Sequence, residues 1–238
     1  MIIEDLIEIN RRLSHDLWNM SCFNGKPSGL SPRLIFPEKR INNEIRISEQ
    51  EARILYCSIL NNLNYFYSIE TPTNETYQFT GKTPLSALSD LSIYRYKDNE
   101  FIKMANVELK AHNPATENIS KDIEKIIREE KDGNWFHVLK NINKGTLPSV
   151  FEKFVSSFND HKGKGNKKFI LFCICILENN FSIIKHFDYD PTFGINIFNI
   201  MEEFFCLSKL NDSNNIKDKN VLEQQVILKN NGWMIVKQ

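Results

Sequence analysis

The chain has 238 residues, 41% hydrophobic and 25% charged, which is the balance of a globular protein long enough to bury a sizeable core in one large domain. Thirty basic and 30 acidic residues cancel, so charge alone gives no non-specific attraction to nucleic acid and any basic groove has to be local. No run of 18 apolar residues occurs, which leaves no expected membrane span.

In chain order, Ile3, Leu6, Ile7, Leu13, Leu17 and Trp18 recur at helical spacing and predict an amphipathic first helix. The leading Met-Ile-Ile-Glu-Asp-Leu is acidic within five residues, unlike a secretory signal, so a cytoplasmic protein is expected. Gly25, Pro27, Gly29, Pro32 and Pro37 make the following stretch a connector, and residues 1–43 read as N-terminal helix plus connector. Ser48 and Glu51 then form the S-x-x-E pattern of a capping box ahead of a helix bearing Ile54, Leu55, Ile59, Leu60 and Leu63.

Tyr65 to Glu70 reads as a strand ended by Thr71-Pro72-Thr73-Asn74, with Tyr77-Gln78-Phe79 as a continuation of the sheet. Gly81-Lys82-Thr83 lacks the earlier glycine of a P-loop and reads as a turn. Residues 90–97 and 101–110 predict two strands joined by Lys97-Asp98-Asn99-Glu100. Alternation along a strand puts Glu108 and Lys110 on one face, with Val107 and Leu109 on the other. Asp90 stands beside Glu108 if paired positions sum to 198, which requires an odd-numbered loop or a bulge. Two carboxylates so close repel unless a cation lies between them, and a hard divalent ion takes oxygen ligands of this kind.

Asp90 followed by Glu108-Leu109-Lys110 on the neighbouring strand resembles the PD-(D/E)XK nuclease superfamily, the restriction-endonuclease-like fold. The proline usual before the acid is replaced by Ser89. The resemblance implies an α/β fold with a mixed central sheet flanked by helices, the core at residues 44–190, and Mg²⁺ (or Mn²⁺) dependent cleavage of phosphodiesters, DNA above all. It further implies that Asp90 and Glu108 bind the metal, that Lys110 orients water and offsets charge, and that a carboxylate from the preceding helix, Glu51 or Glu49, completes the shell. Glu51 can equally be the capping residue, and Glu70 at a strand end is a rival ligand. A restriction-like fold that has lost catalysis and serves as a binding or interaction module, or a structural protein in which Glu108 and Lys110 are an ordinary strand pair, are the alternatives.

Past Lys110, His112 lies two residues on, where it could touch a phosphate or simply make a local hydrogen bond. Ile119, Ile123, Ile126 and Ile127 predict a helix closed by Gly133, Trp135 to Leu139 starts another helical piece, and Pro148 to Phe158 a third. Lys162, Lys164, Lys167 and Lys168 sit in a glycine-bearing basic loop that suits either a phosphate chain or plain solvent. Phe169 to Leu177 is a continuous apolar run of strand length, with Phe181 to Phe187 as its hairpin partner. Residues 191–238 read as an extension packed on the core: a helix over Gly194 to Leu210 and a hairpin turning at Asn230-Asn231-Gly232. The five cysteines show no metal-ligand spacing and read as reduced thiols. A homodimer would account for paired cuts in a duplex.

Overall fold

The structure, a computed structural model, describes residues 3–20, 32–38, 44–78, 83–141, 146–194 and 232–238. Among them are α1 (Ile3–Trp18), α2 (Glu49–Asn62), β1 (Phe66–Tyr77), β2 (Leu85–Lys97), β3 (Glu100–Ala111), α3 (Thr116–Arg128), β4 (Asp132–Leu139), α4 (Thr146–Asp160), β5 (Lys168–Ile176), β6 (Phe181–Tyr189) and β7 (Met234–Lys237). The strands form one sheet in the order β1-β2-β3-β4-β5-β6-β7. Its centre, β3-β4-β5, is parallel, and the flanking pairs are antiparallel. The fold is α/β with a mixed sheet between two helical layers.

One layer is α1 and α2. Leu6, Ile9, Leu13 and Leu17 of α1 and Ala52, Leu55, Tyr56 and Ile59 of α2 share a core with Leu91, Ile93, Val107, Leu109, Phe136 and Val138 from the sheet. Polar residues on the buried stripe are paired: Asn10 and Asn134 exchange amide hydrogen bonds at 2.8 and 3.0 Å, and the Asn134 amide also donates to the Tyr56 hydroxyl. The other layer is α3 and α4, whose Ile119, Ile123, Ile126, Phe151, Phe154 and Phe158 pack on Trp135, Ile170, Phe172 and Ile174.

Three expectations change. Trp135–Leu139 is strand β4 rather than a helix, because it lies between β3 and β5 with both faces covered. A residue run that is apolar all round carries no period to tell helix from strand. The strand begun near Tyr65 does not stop at Pro72 but runs to Tyr77 with a register shift between Pro72 and Thr76. Pro72 is tolerated because β1 is an edge strand, where a missing donor costs no ladder bond. The C-terminal strand pairs with β6, extending the core sheet itself. The helix over 195–210, the first arm of the 221–236 hairpin, Gly81, Lys82, Cys22 and Cys206 lie outside the described residues. Cys57, Cys173 and Cys175 are free thiols. Among the described residues no helix is long and apolar enough to cross a membrane.

Candidate functional site

The β2–β3 hairpin sets the site. Asp98 and Asn99 both take positive φ, 53° and 66°, as the two central residues of a primed turn require. The pairing Lys97↔Glu100 that follows sums to 197 and would place Asp90 opposite Val107. Instead the register steps once, from Tyr94↔Lys103 to Ile93↔Ala105, leaving Met104 as a bulge residue. Beyond it Ile93↔Ala105, Ser92↔Asn106 and Leu91↔Val107 all sum to 198, so the next positions to meet are Asp90 and Glu108.

There the two strands part. The ladder ends at Leu91↔Val107, while β2 stays paired with β1 through Ser89 and Leu88. The Leu109 N–H, released from the ladder, donates to Asp90 Oδ2 at 2.8 Å. Asp90 Oδ1 accepts from Arg53 Nη2 of α2 at 2.6 Å. Arg53 also reaches Glu70 Oε1 at 3.4 Å. Glu70 lies between the paired positions Ile69↔Leu91 and Thr71↔Ser89, and so stands across from Asp90. Glu70, Asp90 and Glu108 therefore form a row across β1, β2 and β3, the middle one engaged by an arginine.

Helix α3 covers the other end of the row. Lys125 Nζ lies 2.6 Å from Glu108 Oε2, 2.8 Å from Asp122 Oδ1 and 2.8 Å from the Leu88 carbonyl oxygen. Lys110 Nζ lies 2.5 Å from Asp122 Oδ2. Glu108 is 1% exposed, and its Oε1 has no hydrogen-bond partner. Burial pushes the Glu108 carboxyl well above the usual range; Asp122 and Asp90 add to this and Lys125 opposes it. Burial also works against the charge on Lys110, but Asp122, backed by Asp90 and Glu108, outweighs it and raises the ammonium above its ordinary value. Lys125 is held up in the same way by Glu108 and Asp122. Three carboxylates (Asp90, Glu108, Asp122) thus interlock with three cations (Arg53, Lys110, Lys125).

The other expected site residues are placed as follows. Glu51 Oε2 accepts from the Ser48 hydroxyl at 2.5 Å, and Ser48 in turn accepts from the Gln50 N–H, so Glu51 is tied to its own helix start. Glu49 is one turn before Arg53 on the same helix face and lines a groove with Arg46, Ala111 and His112. His112, at φ 61°, donates through Nε2 to the Ile47 carbonyl at 2.6 Å and closes the end of β3 onto the segment leading into α2. In the basic loop, Lys164 pairs with Glu124 at 3.0 Å and Lys167 with Asp190 at 2.7 Å. Lys168 is buried and donates to the carbonyls of Ile126 and Glu129, capping the end of α3. That leaves it with no solvent-facing charge to offer a phosphate. Lys162 is exposed.

Arg53, Asp122 and Lys125 carry no motif and escape a motif search. Asp122 and Lys125 do have a signal, since they fall within the buried stripe set by Ile119, Ile123 and Ile126. Charged residues on a core stripe need partners.

A hard divalent ion suits these donors. Glu108 Oε1 is a buried oxygen without a partner, and Asp90, one residue past the last pair Leu91↔Val107, is near enough to help push the Glu108 carboxyl's pKa up. Mg²⁺ needs no closed protein cage, because it keeps several waters and takes one or two carboxylates plus substrate phosphate. Among the described residues no three or more His, Cys, Asp or Glu side chains form a ready-made cage. Comparison with protein-family models, with curated proteins and with solved structures finds no match.

Proposed function

We propose that the chain is a metal-dependent nuclease of PD-(D/E)XK type, acting on phosphodiester bonds and on DNA first among nucleic acids. The observation that carries this reading is the one-residue bulge at Met104, which brings Asp90 into register with Glu108 on the strand that also bears Lys110. Asp90 and Glu108 would hold Mg²⁺ or Mn²⁺, and of the other acids Glu70 is the best placed to join them, ahead of Glu49 and the tied Glu51. The ion, when bound, supplies Lewis acidity and a more acidic water. The chain's own residues do the rest. Lys110, kept charged by Asp122, offsets negative charge as it builds on the phosphoryl oxygens. Arg53, anchored on α2, is the second fixed cation for a phosphate passing the strand split. Lys162 with the paired Lys164 and Lys167 offers a peripheral contact to the nucleic-acid backbone, and a homodimer would let two sites cut two strands. The free thiols Cys57, Cys173 and Cys175 suit a reducing, cytoplasmic setting.

A second reading is favoured by the bonds from Arg53 to Asp90 and Glu70: a restriction-like fold whose acids are neutralised internally and which binds nucleic acid or protein without cutting. Incubation with plasmid, single-stranded DNA and RNA in Mg²⁺, Mn²⁺, Ca²⁺ or EDTA separates the two. Cleavage that needs Mg²⁺ or Mn²⁺ and is lost in Lys110→Ala supports the nuclease. Binding without cleavage in any ion supports the second reading.

A further inference from the structure

The Lys125 ammonium is surrounded as a metal ion would be. Its three donors meet three oxygens, one each from β2, β3 and α3: the Leu88 carbonyl at 2.8 Å, Glu108 Oε2 at 2.6 Å and Asp122 Oδ1 at 2.8 Å. The side chain is 8% exposed and Glu108 beside it is 1% exposed. The second oxygen of Glu108 has no hydrogen-bond partner, so only one oxygen of the carboxylate is engaged by the cation already in place. Asp122 divides its two oxygens between Lys125 and Lys110, at 2.8 and 2.5 Å. Every cation placed at Glu108 therefore meets a fixed positive charge on the far side of the same carboxylate.

We propose that Lys125 is a built-in counter-cation that sets, and weakens, the affinity of this site for divalent ions, with Asp122 as the positioning residue that holds it there. The inference rests on the metal-dependent reading of the site and adds a control on it. Like charges sharing one carboxylate repel, and removing one of them strengthens the hold on the other. The two residues should thus shift metal affinity in opposite directions. Lys125→Met frees Glu108 Oε2 and Asp122 Oδ1 as oxygen donors and removes the competing charge. Asp122→Asn removes a carboxylate and lets Lys125 settle wholly on Glu108. A purely structural role for the pair predicts no such opposition, because either change would only loosen the fold.

The test is Mn²⁺ binding to the full chain, read from free Mn²⁺ by electron paramagnetic resonance, with DNA cleavage run in parallel. Lys125→Gln is the companion variant, since it keeps a hydrogen-bond donor near Glu108, and circular dichroism confirms folding. The expected result is Mn²⁺ affinity at least about tenfold tighter in Lys125→Met and Lys125→Gln, and several-fold weaker in Asp122→Asn. Unchanged or weaker affinity in both Lys125 variants, or failure of both to fold, overturns the inference. The nuclease reading fails separately. If the wild type cuts nothing while the Lys125 variants gain Mn²⁺ binding, the counter-cation stands and the catalytic role falls. If the wild type binds Mn²⁺ and cuts while the Lys125 variants bind no tighter, the catalytic role stands and the counter-cation falls. If no variant binds Mn²⁺, both fall.

Discussion

Arg53 on α2 and Asp90 on β2 meet at 2.6 Å, at the place where β2 leaves β3. The contact ties the helical layer to the strand split, and both side chains are largely shielded, at 12% and 17% exposure. A double-mutant cycle with Arg53→Met and Asp90→Asn should give a coupling of about 0.5–3 kcal/mol in urea unfolding. Additive effects would mean that the two charges do not sense each other in solution. Arg53→Met should also change cleavage, because it uncovers Asp90 and removes a fixed cation together.

Met104 is an extra residue that the bulge absorbs, and its deletion is expected to be tolerated. Removing it closes the bulge and lets Tyr94↔Lys103 run on into Ile93↔Ala105 without a break, so the register that leads to Asp90 and Glu108 is kept. The deletion variant should fold and retain any wild-type cleavage within about tenfold, for want of any lost ligand. Loss of both would show that the bulge shapes the site beyond its count of residues.

Ser48→Ala should break the Ser48–Glu51 contact at the start of α2, at a cost of about 0.5–2 kcal/mol, and Glu51→Gln, whose amide oxygen can still accept from Ser48, should cost no more than that. Neither should alter metal-dependent cleavage, whereas Glu70→Gln should reduce it. A thermal melt beside a cleavage assay checks both halves, and activity lost in Glu51→Gln at unchanged melting temperature would return Glu51 to the metal.

His137 should make the fold acid-sensitive. It is fully buried between β3 and β5, donates from Nε2 to the His112 carbonyl at 2.6 Å, and leaves Nδ1 without a partner. Burial pulls its pKa from 6.5 down to about 4. Between those values the unfolded chain takes up a proton that the folded chain refuses. Stability is therefore complete above pH 6.5 and falls as pH drops toward 4, by about 3 kcal/mol in all. Urea midpoints from pH 7.5 to 4 measure the slope, and His137→Gln should flatten it; an equal slope in the variant would assign it to other groups.

Much of the candidate site was legible because it follows from counting. Alternation placed Glu108 and Lys110 together, and the sum of 198 anticipated the irregularity that the hairpin contains. The helices with clear apolar stripes, α1, α2, α3 and α4, were legible for the same reason. What stayed hidden depends on tertiary context. β4 lost its identity because burial on both faces erases alternation, and the end of β1 because edge strands accept proline. The choice between cap and ligand at Glu51 needed the position of Ser48, and the partners of the acids needed the approach of α2 and α3 to the sheet.

Strand order in the sheet follows strand order in the chain, from β1 to β7. Each strand, as it leaves the ribosome, can therefore dock on an edge already laid down by its predecessor, with no insertion between strands formed earlier. The growing sheet never has to reopen, which favours assembly with few trapped intermediates. Besides the β1 edge, which stays open throughout, the advancing edge is exposed during synthesis, so a stalled or truncated chain would present that edge to other chains. Aggregation of nascent fragments ending within β4 or β5, whose residues are nearly all buried in the finished sheet, is the characteristic failure such a design invites.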